Sequence, residues 1–201
     1  MPAIPAAGAL PRHTVLADAI PGARVRDAVL VLGGALFTAL LAQVAFNIPP
    51  SPVPVTGQTL AVGLVGATLG ARRGAAALAL YALLGLFLPF YADGESGWDV
   101  IWGASGGYIV GFVFAAAAIG WLAERGADRR VVATFLAFIV GQLIVFAFGL
   151  AGLKIAVGET WSWTVHNGFA IFIAGGIIKA IVGALVLPSA WRLVRRVDRR
   201  A

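Results

Sequence analysis

The sequence predicts an all-α integral membrane protein, built as a bundle of six transmembrane helices with both termini in the cytoplasm. Hydrophobic residues make up 60% of the 201 residues, charged residues make up only 12%, and the mean hydropathy is +0.92. A soluble domain carries about 25% charged residues. Several apolar runs are long enough to cross a bilayer, and the arginines fall on alternate connections between them. Composition, run length and arginine placement therefore agree on this fold class.

The predicted helices follow the apolar runs in chain order. A helix needs about 20 apolar residues to cross the hydrocarbon core. Four runs satisfy this requirement, whereas the second and third are shorter. We expect helices over residues 28–46, 59–71, 75–90, 103–122, 131–156 and 168–187. We interpret residues 1–27 as a cytoplasmic lead-in, residues 28–191 as one membrane domain and residues 192–201 as a basic cytoplasmic tail.

The arginines indicate which connections face the cytoplasm. Arg72 and Arg73 lie between the second and third helices, Arg125, Arg129 and Arg130 lie between the fourth and fifth, and the others lie near the termini. The remaining three connections contain no arginine. By the positive-inside rule, both termini and the arginine-containing connections are cytoplasmic. The net charge of +6 is therefore a topology signal and not a nucleic-acid-binding patch.

Tryptophan and cysteine usage adds two further constraints. Trp121 and Trp191 fall near the predicted inner interface and the other four tryptophans near the outer one, as in an aromatic belt. The chain has no Cys, which excludes disulfides, thiol catalysis and thiolate metal sites. We expect neither a cofactor nor a metal.

Small residues form a stripe on predicted helix one. Ala35 and Ala39 are four residues apart and so share one face of the helix. Such a stripe lets another helix approach closely. That neighbour is either a helix of the same bundle or a separate membrane subunit, and the stripe alone does not distinguish them.

The outer segment after helix one, FNIPPSPVPVTGQTLAV at residues 46–62, contains four prolines. Proline cannot continue a helix, and irregular backbone at membrane depth requires cover by protein or by a water-filled cavity. One interpretation is a tight outer turn followed by a tilted helix. The other is a structured loop that lines an outward-facing pocket, where Thr56 and Gln58 offer hydrogen bonds.

Predicted helix four begins with GASGGYIVGF at residues 103–112, after an acidic outer loop. Asp93, close to the end of helix three, is the residue of that loop that we expect at a site. Ser105 and the N–H groups of Gly106 and Gly107 lie at the helix N-terminus, where backbone donors suit anionic groups. The alternative is that these glycines only allow close helix packing. Tyr108 either forms a pocket wall or belongs to the aromatic belt.

Lys179 stands in the apolar stretch GGIIKAIVGALV of predicted helix six, with no acid in the same helix. A lysine at the bilayer centre costs about 2.5–3.5 kcal/mol even on lenient insertion scales. Gly175 and Gly183 share its face, which indicates that the lysine points into the bundle. A buried cation needs an anion, so an anionic ligand is one interpretation. A structural lysine bonded to carbonyl groups is the other.

These motifs together resemble a known family. In order, PVPVTGQTLAV (52–62), GATLGARRGA (66–75), YALLGLFLP (81–89) and GASGGYIVGF (103–112) resemble the BioY family, the biotin-specific S components of energy-coupling factor transporters. The resemblance extends from about helix one to the C-terminus. It implies a six-helix subunit in the bacterial cytoplasmic membrane that binds biotin from the outer side.

The resemblance also implies partners and residue roles. The partners are a transmembrane coupling (T) subunit, which the small residues Ala35 and Ala39 would face, and paired ATPases. The chain itself has no G-x-x-x-x-G-K-S/T loop and so cannot hydrolyse ATP by that means. Lys179 matches the family's helix-six lysine near the ligand. The family usually has an acid three residues earlier, where this chain has Gly176. That departure implies either that another group, such as Asp93, Gln58 or Asn167, takes over the contact or that the ligand or its affinity has changed.

Two alternatives change the ligand or the class of protein. The first keeps the fold but binds another small anionic vitamin, or works without ATPases. The second is a rhomboid-like intramembrane serine protease, with Ser105 as nucleophile and His166 as its base. That family has a long first outer loop with Trp-Arg, which this chain lacks. We therefore expect a transport protein and not an enzyme.

Overall fold

The computed structural model describes residues 15–19 and 24–198, and helices dominate this part of the chain. Most of the predicted lead-in at residues 1–27 and the last three residues of the predicted tail lie outside the described residues. The helices are α1 (Arg24–Ala42), α2 (Gln58–Leu69), α3 (Ala71–Leu84), α4 (Trp98–Trp102), α5 (Gly106–Glu124), α6 (Val131–Val157), α7 (Trp161–Gly168) and α8 (Ile173–Asp198). One antiparallel pair of two-residue strands, β1 (Ala45–Phe46) and β2 (Val55–Thr56), follows α1.

The prediction of a helical protein with several membrane-length apolar helices is confirmed. Within the described residues, four stretches are long and apolar enough to cross a membrane: Val25–Ala42, Gly106–Glu124, Val131–Val157 and Trp161–Arg196. Helix α2 is apolar but has only 12 residues, and α3 has 14. At 1.5 Å per residue these two helices are about 18 and 21 Å long, shorter than the hydrocarbon core of about 30 Å.

Helix one ends earlier than predicted because its C-terminal residues enter the strand pair. The backbone N–H of Gly57 donates to Val44 O at 2.9 Å, and Phe46 pairs with Val55 in the antiparallel register. The proline-rich segment is thereby closed into a compact hairpin. Helix α2 then begins at Gln58.

A single residue, Gly70, separates α2 from α3, where the sequence predicted a longer arginine-containing connection. Its φ of +86° lies in the region that favours glycine, so one residue suffices to reverse the chain. Arg72 and Arg73 consequently lie in the first turn of α3. Arg73 forms ion pairs with Asp18 at 2.9 Å and with Asp27 at 3.2 Å, which join the segment 15–19 and α1 to this end of the bundle.

The core of the bundle depends on glycines that face bulky neighbours. Gly107 of α5 packs against the backbone of α6, with the Cα of Gly152 only 3.0 Å from the place that a Cβ would occupy. The ring of Phe138 on α6 is buried between Gly63 of α2 and Gly183 of α8. Any side chain at these positions would force the helices apart, so the glycines set the helix spacing.

The prediction that Ala35 and Ala39 face a separate subunit needs correction. Their relative exposure is 0% and 7%, because this face of α1 packs inside the bundle. The adjacent Gly34 approaches Ala77 of α3 and Val65 of α2 closely. Of the two neighbours left open by the stripe, the structure therefore places helices of the same chain there. The opposite face of α1 is exposed and apolar, with residues Val29, Leu32, Leu36, Phe37 and Leu40.

Candidate functional site

A cavity of about 250 Å³ lies at the end of the bundle that contains the β1–β2 hairpin. The hairpin and the start of α2, the loop after α3, and helices α5, α6 and α8 form its walls. Small-molecule sites usually measure about 300–1,000 Å³, so this cavity suits a compact ligand. Six residues that the sequence predicted for a site line it: Thr56, Gln58, Asp93, Ser105, Tyr108 and Lys179.

The hairpin wall is held by a short chain of buried hydrogen bonds. The Thr56 hydroxyl donates to Gln58 Oε1 at 2.7 Å, and Gln58 Nε2 donates to the Tyr81 hydroxyl at 2.5 Å. Because both functional groups of the Gln58 amide are already paired, Gln58 mainly positions this wall. Of the two interpretations of the proline-rich segment, the geometry fits the structured loop, since Pro52, Val53 and Pro54 line the cavity.

The Lys179 amine lies at the cavity and is partly satisfied by the protein itself. It donates to Thr56 O at 2.5 Å and to Thr59 Oγ1 at 2.9 Å. No carboxylate of the described residues lies within ion-pair distance of it. An ammonium group has three protons, so one donor remains after these two hydrogen bonds. The geometry therefore agrees with parts of both interpretations of Lys179. The amine is bonded to a backbone carbonyl, as a structural lysine would be, and it keeps one N–H that can donate to an anionic ligand.

Aromatic side chains form the apolar wall of the cavity. Tyr108, Phe146 and Phe172 contact one another, and their ring centroids are 6.2–6.4 Å apart. The Tyr108 hydroxyl donates to Gly168 O at 2.8 Å, which ties α5 to the end of α7. Tyr108 is buried, so it belongs to the pocket wall and not to an aromatic belt. The ring, and not the hydroxyl, is what it offers to a ligand.

The loop after α3 contributes the acidic part of the lining. Asp93 has φ of 57° and is exposed, and Asn47 Nδ2 donates to its carboxylate at 3.4 Å. Glu95 also lines the cavity, although the sequence did not single it out. Burial raises the pKa of the Tyr91 phenol to about 12, so its hydroxyl stays protonated and donates to Ala82 O at 2.6 Å. Tyr91 thus fixes this loop onto α3.

Gly106 and Gly107, predicted to offer N–H groups to a ligand, do not line the cavity. A Cβ at Gly106 would collide with Ile101 O, and one at Gly107 would collide with Phe148 O. These glycines serve the alternative role, close packing against α4 and α6. The first turn of α5 is therefore occupied by neighbouring backbone, and the site contains Ser105 and Tyr108 from this motif but not the glycines.

Gln142, which was not predicted as a site residue from the sequence, lines the cavity from α6. Its Nε2 donates to Gly176 O at 2.8 Å. A signal was present, because Gln142 is an uncharged polar residue in the middle of a 27-residue apolar helix. Polar residues at such depth usually face the bundle interior and mark ligand pathways. Phe146 and Phe172 were also missed, since aromatic residues are unremarkable in an apolar run.

The features expected of an enzyme are not assembled. His166 is exposed and does not line the cavity, and no hydrogen bond joins it to Ser105 in the described part of the chain. Across residues 15–19 and 24–198, no group of three or more potential ligands could hold a metal ion. The chemistry that this site offers is therefore binding, through one amine, several hydrogen-bonding groups and an aromatic wall.

The chain is similar to known proteins both in sequence and in fold. Residues 13–196 match the BioY family. A relative from Rhizobium etli, named biotin transporter BioY, is 36% identical over 173 residues, covering 80% of this chain and 90% of the relative. A second, biotin transporter BioY2 from Lactococcus lactis subsp. cremoris, is 38% identical over 154 residues, covering 76% of this chain and 83% of the relative.

One solved structure shares the fold. It is the 2.1 Å crystal structure of the S component for biotin from an ECF-type ABC transporter, with a TM-score of 0.74. The alignment covers 88% of this chain and 93% of that chain, at 22% sequence identity. The overall helix arrangement described above is therefore similar to that of this S component.

Proposed function

The chain belongs to the BioY family, and we propose that it binds biotin from the outer side of the bacterial cytoplasmic membrane as the S component of an energy-coupling factor transporter. The observation that carries this proposal is the Lys179 amine, which lies in a cavity of about 250 Å³ with no carboxylate of the described residues beside it. Biotin is a compact bicyclic urea with one carboxylate. An amine, hydrogen-bonding groups and an aromatic wall complement those three features.

Charge supports a particular orientation of the ligand. Lys179 is the cation that lines the cavity, whereas Asp93 and Glu95 line it from the outer loop. An anionic carboxylate is attracted to the amine and repelled by the two acids. We therefore orient the biotin carboxylate toward Lys179, where it accepts a hydrogen bond from the N–H that is not used by Thr56 O and Thr59 Oγ1. The bicyclic ring then packs on Tyr108, Phe146 and Phe172.

The membrane arrangement belongs to the same proposal. We propose six membrane-crossing helices, namely α1, α2, α3, α5, α6 and α8, in one domain over residues 28–191. The lead-in and the basic tail are on the cytoplasmic side, and the cavity opens outward. The positive-inside rule supports this orientation, because Arg72, Arg73, Arg129 and Arg130 lie at the end of the bundle opposite the hairpin. Helices α2 and α3 reach across only together with their flanking segments.

Transport requires partners that supply energy. Since the chain has no phosphate-binding loop of the G-x-x-x-x-G-K-S/T type, ATP hydrolysis comes from separate ATPases joined through a T subunit. Ala35 and Ala39 are covered by the chain itself, so we place the T-subunit contact on the exposed face of α1. That face includes Leu36 and Leu40 and has open space beside Gly33.

The experiment is equilibrium binding of biotin and of biotinamide, which lacks the negative charge, to the purified full-length protein in detergent. Lys179→Met removes the amine, and Lys154→Met is the matched control because that lysine is half-buried, as Lys179 is, and lies away from the cavity. We expect micromolar or tighter binding of biotin to the wild type. Lys179→Met should weaken it at least about 30-fold, because truncating one partner of a buried charge pair costs roughly 2–5 kcal/mol.

Comparing biotin with biotinamide tests two things separately: whether biotin is the ligand, and whether its carboxylate lies at Lys179. In the wild type biotin should bind more tightly than biotinamide, and Lys179→Met should abolish that preference while Lys154→Met preserves it. If the wild type binds biotin only at millimolar concentration but binds another anionic vitamin tightly, the ligand assignment is wrong and the alternative ligand class is correct. If biotin binds and Lys179→Met has no effect, the family function stands and the orientation is wrong.

A further inference from the structure

The carboxamide of Gln142 is wedged between α6 and α8 at the cavity. Its nitrogen donates to Gly176 O at 2.8 Å. A carbonyl oxygen only accepts hydrogen bonds, so the group that faces it must be the NH₂ and not the carbonyl of the amide. This partner therefore fixes the orientation of the carboxamide. Its oxygen, Oε1, is left for another donor.

The Gln142 carboxamide fills the place that a side chain at position 176 would occupy. A Cβ built at Gly176 would overlap Oε1, and it would lie only 3.0 Å from the amide carbon. Both residues line the cavity. At this point of the cavity wall, α8 therefore has no side chain, and the polar group comes from Gln142 of α6 instead.

Oε1 differs from most other polar groups of this wall in having no partner. Within residues 15–19 and 24–198, no hydrogen bond to Oε1 is formed, whereas both ends of the Gln58 amide and the hydroxyls of Tyr91 and Tyr108 are paired. An acceptor in a wall of aromatic and aliphatic groups is costly to leave unpaired once a ligand excludes water. A bound ligand must therefore present a donor to it.

We infer that Gln142 Oε1 accepts a hydrogen bond from an uncharged N–H group of the ligand, and that the Gln142–Gly176 pair selects for ligands carrying that donor. The inference rests on the proposed function, under which the donor is one of the two ureido N–H groups of biotin. A neutral acceptor suits a neutral donor, because no charge is buried without a partner. A site built around such a contact rejects analogues that lack the donor.

The first arm of the test varies the ligand and leaves the protein unchanged. Biotin is compared with its two analogues methylated on one or the other ureido nitrogen, in equilibrium binding to the purified wild-type protein. One of the two methylations should weaken binding about 10- to 100-fold, which is the effect of leaving a buried acceptor unpaired. Equal affinity for biotin and for both analogues would overturn the inference.

The second arm varies the protein. Gln142→Ala removes the acceptor, and Leu143→Ala is the matched control on the neighbouring, exposed position of α6. Gln142→Ala should weaken biotin binding about 10- to 100-fold and should remove the preference for biotin over the sensitive methylated analogue. Leu143→Ala should bind as the wild type does. Gln142→Ala with unchanged affinity and unchanged preference would overturn the inference.

A third arm checks the pairing of Gln142 with Gly176 by stability. Gly176→Ala should lower the thermal midpoint, and adding Gln142→Ala to it should restore the midpoint without restoring biotin affinity, because space is regained but the acceptor is not. An additive effect on the midpoint would overturn the packing relation. If the wild type binds no biotin, the proposed function fails and the inference falls with it. If it binds biotin but ignores both methylations, only the inference fails.

Discussion

Two polar side chains inside the bundle are each satisfied only in part: Lys179 keeps one free N–H, and within the described residues Asp128 Oδ1 is buried without a hydrogen-bond partner. Lys179 donates to a backbone carbonyl and a threonine hydroxyl at the cavity. At the opposite end, Asp128 accepts a hydrogen bond from Trp191 Nε1 at 2.5 Å. Trp191 is only 4% exposed, so the prediction that it belongs to the inner aromatic belt is wrong. Its indole joins α8 to the turn between α5 and α6 and is held by that carboxylate.

Asp128 makes stability depend on pH. Burial raises the pKa of this carboxyl although Trp191 and the Arg129 guanidinium, 4.5 Å above the indole ring, favour its charged form. Because the folded state holds the proton to higher pH than the unfolded chain does, the contribution of Asp128 is most favourable at acidic pH. It decreases as the pH rises through the folded-state pKa.

Two substitutions at Asp128 test this assignment by thermal unfolding in detergent across a pH series. Asp128→Asn keeps an acceptor for Trp191 and has no charge to bury, so it should be at least as stable as the wild type at neutral pH. Its advantage should shrink as the pH falls. Asp128→Ala leaves the indole N–H unpartnered and should cost about 1–3 kcal/mol. If the Asp128→Asn variant is less stable than the wild type at neutral pH, the attraction between the Asp128 carboxylate and Arg129 outweighs the cost of burying the charge.

At the scale of elements, helix spacing is set by glycines against large rings. Phe138 of α6 is 2% exposed and lies against Gly63 of α2 and Gly183 of α8. The spacing of Gly175, Lys179 and Gly183 predicted that they share one helix face. In the structure this face of α8 points into the bundle. Gly33 of α1 differs, because a Cβ placed there would have no atom of another helix within 4 Å. This glycine therefore does not set a helix spacing within the described bundle.

Alanine at the two kinds of glycine should have opposite effects on the thermal midpoint. Gly63→Ala or Gly183→Ala forces a methyl group into the Phe138 ring and should cost about 1–3 kcal/mol, the usual cost of overpacking. Combining either with Phe138→Leu should recover part of the loss. Gly33→Ala should be neutral or stabilising by up to about 1 kcal/mol, from helix propensity alone. Destabilisation at Gly33 comparable to that at Gly183 would contradict this account.

At the scale of the whole molecule, the ends of the bundle differ in charge and role. The hairpin, the acidic loop and the cavity share one end, whereas the arginines, the Asp18–Arg73 ion pair and the Asp128–Trp191 contact share the other. The candidate binding cavity therefore lies at one end of the protein. The proposed function, in which the ligand binds outside and separate ATPases act inside, requires this separation.

The orientation is testable by cysteine labelling, because the chain has no Cys and each variant therefore carries a single thiol. Ser96→Cys lies in the exposed loop beside the cavity, and Arg130→Cys lies in the exposed turn at the other end. A membrane-impermeant maleimide should label Ser96→Cys in intact cells and Arg130→Cys only after permeabilisation. The reverse pattern would invert the proposed topology. Biotin added before labelling should slow the reaction at position 96 if the ligand enters there.

The amino-acid sequence was enough to predict the helical membrane class, the approximate positions of the main helices and much of the polar lining of the cavity. These features follow from local properties: apolar run length, charge placement and the cost of a lysine in an apolar helix. Six of the residues named from sequence line one cavity, since each is polar or aromatic where its surroundings are apolar or irregular.

Which neighbours those residues meet became clear only from the packed fold. It turned Ala35 and Ala39 inward, used Gly106 and Gly107 for packing, reduced the connection before Arg72 to Gly70, and brought Gln142 to the vacant place beside Gly176. Each outcome depends on contacts between helices far apart in the chain. A sequence pattern fixes the face on which a residue lies, but the partner on that face is chosen by packing of the whole bundle.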